Sequence, residues 1–170
     1  MKKLLSIIFA ICLGAVASQA QIHDRLSVLA GYECPVSDYS YSNKISLGVA
    51  YDLPVYKALV FMPDVRLGWS PSGNGGWFSF DFKADIGVKL PMLFPLTVYT
   101  GPSLECIAAR KIPDGTGFYD FPKHDVIPKW NVGVGARIWR IPVRVAYSVW
   151  LRNDVSKPSQ GIEFSAGYTF

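Results

Sequence analysis

Gly161-Ile162-Glu163-Phe164-Ser165-Ala166-Gly167-Tyr168-Thr169-Phe170 alternates strictly. Side chains along a strand point to opposite sides with a period of two. Ile162, Phe164, Ala166, Tyr168 and Phe170 therefore share one face, and Gly161, Glu163, Ser165, Gly167 and Thr169 the other. A face this apolar needs either a protein core or lipid to cover it. Working outward, the same alternation recurs over 25–34, 44–53, 58–70, 77–90, 96–110, 130–139 and 141–152. The clearest case sets Phe78, Phe80, Phe82, Ala84, Ile86 and Val88 against Ser79, Asp81, Lys83, Asp85, Gly87 and Lys89. Most segments have about the 9–11 residues of a tilted membrane strand, or a few more. No helical period appears after residue 21. The expected fold is all-β, an eight-stranded antiparallel up-and-down transmembrane β-barrel.

The connections alternate in length. Short ones are expected at Leu53-Pro54, Leu90-Pro91 and Ile141-Pro142; longer polar ones run over 35–43, 71–76, 111–128 and 153–159. Tight turns at one end and longer loops at the other suit a barrel with both termini on the periplasmic side. Proline donates nothing to a ladder, so Pro63 and Pro102, inside strand patterns, are expected to mark bulges.

Alternation alone does not say which face is inside. A soluble periplasmic β-domain that binds a small ligand would alternate too, with its apolar face inward. Three features favour the inverted arrangement. Glycines 31, 48, 68, 87, 101, 133, 135, 161 and 167 all share the polar face. On an open surface they only weaken strands, whereas in a narrow bore they make room for large side chains. The same face carries six acids, Glu33, Asp64, Asp81, Asp85, Glu105 and Glu163, and seven bases, Arg25, Arg66, Lys83, Lys89, Arg137, Arg144 and Arg152. A closed lumen must nearly neutralise itself, because unpaired buried charge is costly. Aromatics also gather near strand ends. Tyr32, Trp69, Trp77, Trp130 and Trp150 lie on the loop side, and Tyr51, Phe94, Trp139, Tyr168 and Phe170 on the turn side. They match the two girdles of a membrane barrel, although Trp139 and Trp150 have inward parity.

The chain opens with Met1-Lys2-Lys3, an apolar run from Leu4 to Val16, and Ala17-Ser18-Gln19-Ala20. A basic start, a short apolar run and small residues at its end form a secretory signal peptide, expected over 1–20, with the barrel domain over 21–170. Removing Lys2 and Lys3 lowers the formal charge from +4 to +2. That near-balance, without a basic cluster, argues against a nucleic-acid partner. Cys34 and Cys106 fall on the first and fifth strands, across the barrel from each other, and are expected to stay unpaired.

Chemistry is sparse. His23 and His124 are the only histidines. His124-Asp125 with Ser103 or Ser148 supplies the residue types of a triad, but nothing in the spacing fixes their geometry. Asp114-Gly115-Thr116-Gly117 lacks the carboxylates of a calcium cage and reads as a turn. No zinc spacing and no nucleotide fingerprint is present. No cofactor and no catalytic residue are expected. The third long loop, with Phe118, Tyr119, Phe121 and His124, is the candidate contact for an extracellular partner. Two other readings stay open, a lipid-modifying outer-membrane enzyme and the soluble ligand-binding domain.

The leader, the Leu-Pro dipeptides, Phe61-Met62-Pro63-Asp64-Val65-Arg66-Leu67-Gly68-Trp69, Tyr99-Thr100-Gly101-Pro102-Ser103 and Gly167-Tyr168-Thr169-Phe170 resemble the small outer-membrane β-barrel proteins (PorT-like) of Bacteroidetes. The resemblance implies an eight-stranded barrel in the outer membrane of a Gram-negative bacterium, with membrane lipid as its surroundings. It also implies that Phe164, Tyr168 and Phe170 form a signal for the barrel-assembly machinery. It carries over no catalytic site.

Overall fold

The computed structural model describes residues 25–36, 43–72, 75–91, 95–111, 118–120, 126–151 and 160–170. Ten strands form: β1 (Leu26–Pro35), β2 (Lys44–Tyr51), β3 (Leu53–Tyr56), β4 (Leu59–Ser72), β5 (Gly75–Leu90), β6 (Leu96–Lys111), β7 (Phe118–Asp120), β8 (Val126–Ile138), β9 (Ile141–Trp150) and β10 (Gln160–Thr169). Eight of them close a ring. β1 pairs with β2 and β10, β2 with β4, and β4, β5, β6, β8, β9 and β10 follow in sequence, all antiparallel. β3 prolongs β2 along β4, and β7 is a short addition to β6. This is a closed eight-stranded up-and-down transmembrane β-barrel.

The faces are inverted relative to a soluble domain. Phe80, Phe82, Val65, Leu67, Leu47 and Leu104 are exposed, each more than 40% accessible. Asp64, Arg66, Asp81 and Glu105 are 2–3% accessible. Cross-strand register stacks the apolar residues in outward rows such as Leu47↔Leu67, Leu67↔Phe80 and Phe82↔Leu104. Leu29, Val60, Met62, Tyr99, Ile127 and Ala146 are the main apolar groups buried inside. Glycine makes space for them and for the charges. A Cβ on Gly133 would sit 2.5 Å from the Tyr99 ring, and one on Gly31 would sit 2.7 Å from an Arg66 nitrogen.

Both mid-strand prolines behave differently from the expectation of bulges. Around Pro63 the β4–β5 register runs on unchanged, Met62↔Asp85, Pro63↔Ala84, Asp64↔Lys83. On its other side the ladder stops at Ala50↔Asp64 and resumes at Leu53↔Phe61 in the same register. Pro102 likewise sits in a gap of the β5–β6 ladder between Lys83↔Ser103 and Ile86↔Thr100. A missing N–H removes a rung, and the flanking pairs still hold the register. True register shifts fall elsewhere, at Phe78/Ser79 and at Pro54/Tyr56.

Two turns also move. The hairpin expected at Leu53-Pro54 turns at Lys57-Ala58, with Lys57 at φ 45°, and the one expected at Ile141-Pro142 turns at Trp139-Arg140, with Trp139 at φ 59°. Pro54 and Pro142 lie inside strands, opposite Val60 and Arg137. Part of the expected third long loop is strand as well, since β6 reaches Lys111, β7 pairs with it, and β8 begins at Val126. Cys34 and Cys106 are unpaired.

The aromatic belts hold in part. Tyr32, Trp130, Tyr168 and Phe170 are exposed on the outer face, and Trp69 packs on Phe78 with ring centroids 4.4 Å apart. Tyr168 meets Phe170 edge-on and accepts a 3.0 Å hydrogen bond from Arg140. Trp77 and Trp150 do not join the belt. Both are buried, because their parity points them inward. Trp139, assigned to a strand by parity, is a turn residue and 87% accessible. Phe94 lies outside the described residues.

Candidate functional site

The barrel interior gathers the charges of the polar face, because every second residue of eight strands points into one narrow space. Three groups are stacked along it. Nearest the long loops, the Lys44 Nζ lies 2.8 Å from Glu33, 2.8 Å from Asp81 and 3.3 Å from Glu105. Lys129 reaches Glu105 at 2.6 Å and Glu33 at 3.6 Å, with its ammonium 4.6 Å over the Trp150 ring. Three carboxylates thus share two ammonium groups.

In the middle, the Arg66 guanidinium grips Asp64 through Nε (2.9 Å) and Nη2 (2.6 Å), and its Nη1 donates to Glu163 at 2.6 Å. Lys83 takes the other Glu163 oxygen at 2.6 Å. A forked pair of this kind is the strongest geometry open to arginine and carboxylate. Beside it a neutral patch forms on β6, β8 and β9. Ser148 donates to Asn131 Oδ1 at 2.9 Å, and Ser103 does so at 3.4 Å.

At the turn end, Asp52 is held by two guanidiniums, Arg144 Nη2 at 2.8 Å and Arg137 Nη2 at 2.7 Å. Arg144 Nη1 lies 3.8 Å from Asp64 and so links this group to the middle one. A cavity of about 170 Å³ opens here, with Asp52, Lys89, Arg137 and Arg144 among its lining residues.

Of the charges expected inside, Glu33, Asp64, Arg66, Asp81, Lys83, Glu105, Arg137, Arg144 and Glu163 enter these ion pairs. Asp85 is buried against Gly101 and forms no ion pair among the described residues. Arg25 is half-buried in the turn before β1, and its carbonyl accepts from the Asp52 N–H at 3.1 Å. Lys44, Asp52 and Lys129 were not singled out from the sequence. Lys44 and Asp52 share the inward parity of Ser46 and Gly48, and Lys129 lies one residue before the strand start read from the pattern. Parity within 44–53 finds the first two, and extending the 130–139 segment by one residue finds Lys129.

Phe164, Tyr168 and Phe170 are half-exposed on the outer face. Phe118 and Tyr119 lie on β7, whose backbone pairs with Lys111 and Arg110. Phe121, His124 and Asp125 lie outside the described residues; Ser103 and Ser148 hydrogen-bond to Asn131.

No protein-family model matches the chain, and no curated protein matches it. Solved structures do. The N-terminal β-barrel domain of Pseudomonas aeruginosa OprF superposes with TM-score 0.58 at 9% identity, covering 87% of this chain and 98% of that one. A de novo designed transmembrane β-barrel gives 0.55 at 17% identity, covering 89% and 100%. Neisserial surface protein A gives 0.56 at 12% identity, covering 85% and 96%. At such identities the likeness is one of fold, that of the small outer-membrane type of barrel.

Proposed function

We propose that this chain is an outer-membrane protein of a Gram-negative cell, with a filled lumen and no catalytic role. It serves envelope integrity or surface contact through its loops. The observation that carries this reading is the inversion of faces together with the ion pairs inside. An apolar exterior calls for lipid, and an interior crossed by Lys44, Arg66, Lys83 and Arg144, each paired to carboxylates, leaves little open bore.

In the same reading residues 1–20 direct export and are removed. Phe164, Tyr168 and Phe170 engage the barrel-assembly machinery, and the resemblance to PorT-like proteins of Bacteroidetes reflects kinship. Phe118, Tyr119, Phe121 and His124 belong to the loop that meets an extracellular partner. A planar-bilayer recording tests the filled lumen. The expected result is trickle conductance at most, and a steady porin-scale current contradicts it. Mass spectrometry of lipid A, with and without the protein, tests the absence of catalysis; a changed acyl pattern contradicts it.

A further inference from the structure

The turn-side mouth of the barrel is richer in cations than in acids, the reverse of the loop-side group. Its cavity of about 170 Å³ is lined by three cations, Lys89, Arg137 and Arg144, and by one carboxylate, Asp52. Both oxygens of Asp52 are engaged by the two guanidiniums, at 2.8 and 2.7 Å. The next carboxylate, Asp64, is 3.8 Å from Arg144 and already held in the fork of Arg66. Among the described residues the lining carries three cations to one carboxylate. They sit in a concave space walled by Met62, Pro95 and Pro142, where low-dielectric walls focus the potential.

The chemistry of this set is that of an oxyanion receptor. Guanidinium groups match the oxygens of phosphate, and an ammonium adds a point charge. At about 170 Å³ the cavity has room for a tetrahedral oxyanion together with water.

We propose that the turn-side mouth is a binding site for a single small oxyanion of the phosphate class, held by Lys89, Arg137 and Arg144. The site goes beyond the role assigned to the loops and does not depend on it. The phosphate is either a free ion or the headgroup of a phospholipid.

Calorimetric titration of the whole barrel, refolded in neutral detergent, with inorganic phosphate tests the assignment. The expected result is saturable binding at one site. Lys89→Ala removes an exposed rim cation, and Arg137→Gln removes a half-buried one. Each should weaken binding about tenfold or more. Lys57→Asn is the control. Lys57 is a cation at the same end that does not line the cavity, and asparagine tolerates its positive φ. It should leave binding unchanged. A heat shift on unheated gels confirms that each variant is folded. Dihexanoyl phosphatidic acid separates the two sources: displacement of bound phosphate assigns the headgroup, and no displacement assigns the free ion. No saturable binding by the native barrel overturns the proposal, as does equal weakening by Lys57→Asn and Lys89→Ala.

Discussion

The two ends of the barrel interior solve the problem of enclosed charge in different ways. Toward the long loops, Glu33, Asp81 and Glu105 surround Lys44 and Lys129, and each of these side chains is at most 8% accessible. At the turn end, Asp52 joins Arg137 and Arg144 beside a cavity, with Arg137 27%, Asp52 13% and Arg144 7% accessible. The first group is acid-rich and sealed; the second is base-rich and open at Arg137 and Asp52, with Arg144 buried beneath them. Sealed charges have exchanged all their water for one another, so each depends on its partners. Part-exposed charges keep some of their hydration, so each depends less on any one partner.

The largest expected effect is at the sealed end. Lys44→Met takes away the ion-pair partner of Asp81, leaves Glu33 and Glu105 with Lys129 alone, and should cost about 3–5 kcal/mol. Urea titration of folding into vesicles measures it. A loss comparable with that of an exposed pair would erase the contrast between the ends. Next in size is charge placed on the opposite face of the same strands. Phe82→Arg sets a cation on the outward side near mid-strand and should cost about 2–4 kcal/mol in the same assay. The smallest effect is at the open end. Arg137→Gln removes one of two partners of Asp52, and for a part-exposed pair the loss should stay below about 1 kcal/mol. If Arg137→Gln matches Lys44→Met, the turn end is sealed after all.

The faces of the barrel were legible in the sequence because a period of two needs only parity. Phe78, Phe80 and Phe82 outward and Asp81 and Lys83 inward follow from counting, and so do the glycines that clear space for Tyr99 and Arg66. Lys129 escaped because the sixth segment was begun at its first aromatic, Trp130, whereas Lys44 and Asp52 lie within 44–53 on the polar parity and were legible but left out of the charge count. The turns were misplaced for a different reason. Leu53-Pro54 and Ile141-Pro142 advertise chain reversal, yet the residues that reverse the chain are Lys57 and Trp139, neither of which prefers a positive φ. The prolines read as bulges only remove rungs, since register is held by the many pairs on either side. Which cations stay open to a ligand depends on three-dimensional pairing, and parity carries no record of it.

The central claim is that apolar side chains of β5 face lipid while its charges face a closed interior. Spin labels placed singly at 80, 81, 82, 83, 85 and 86 in vesicle-embedded protein, with Cys34 and Cys106 replaced by serine, test it through collision with oxygen and with a water-soluble nickel chelate. The account predicts strong oxygen collision at 80, 82 and 86, and little collision with either reagent at 81, 83 and 85. Strong nickel collision at 81 and 83, with 80 and 82 shielded from both reagents, would contradict it.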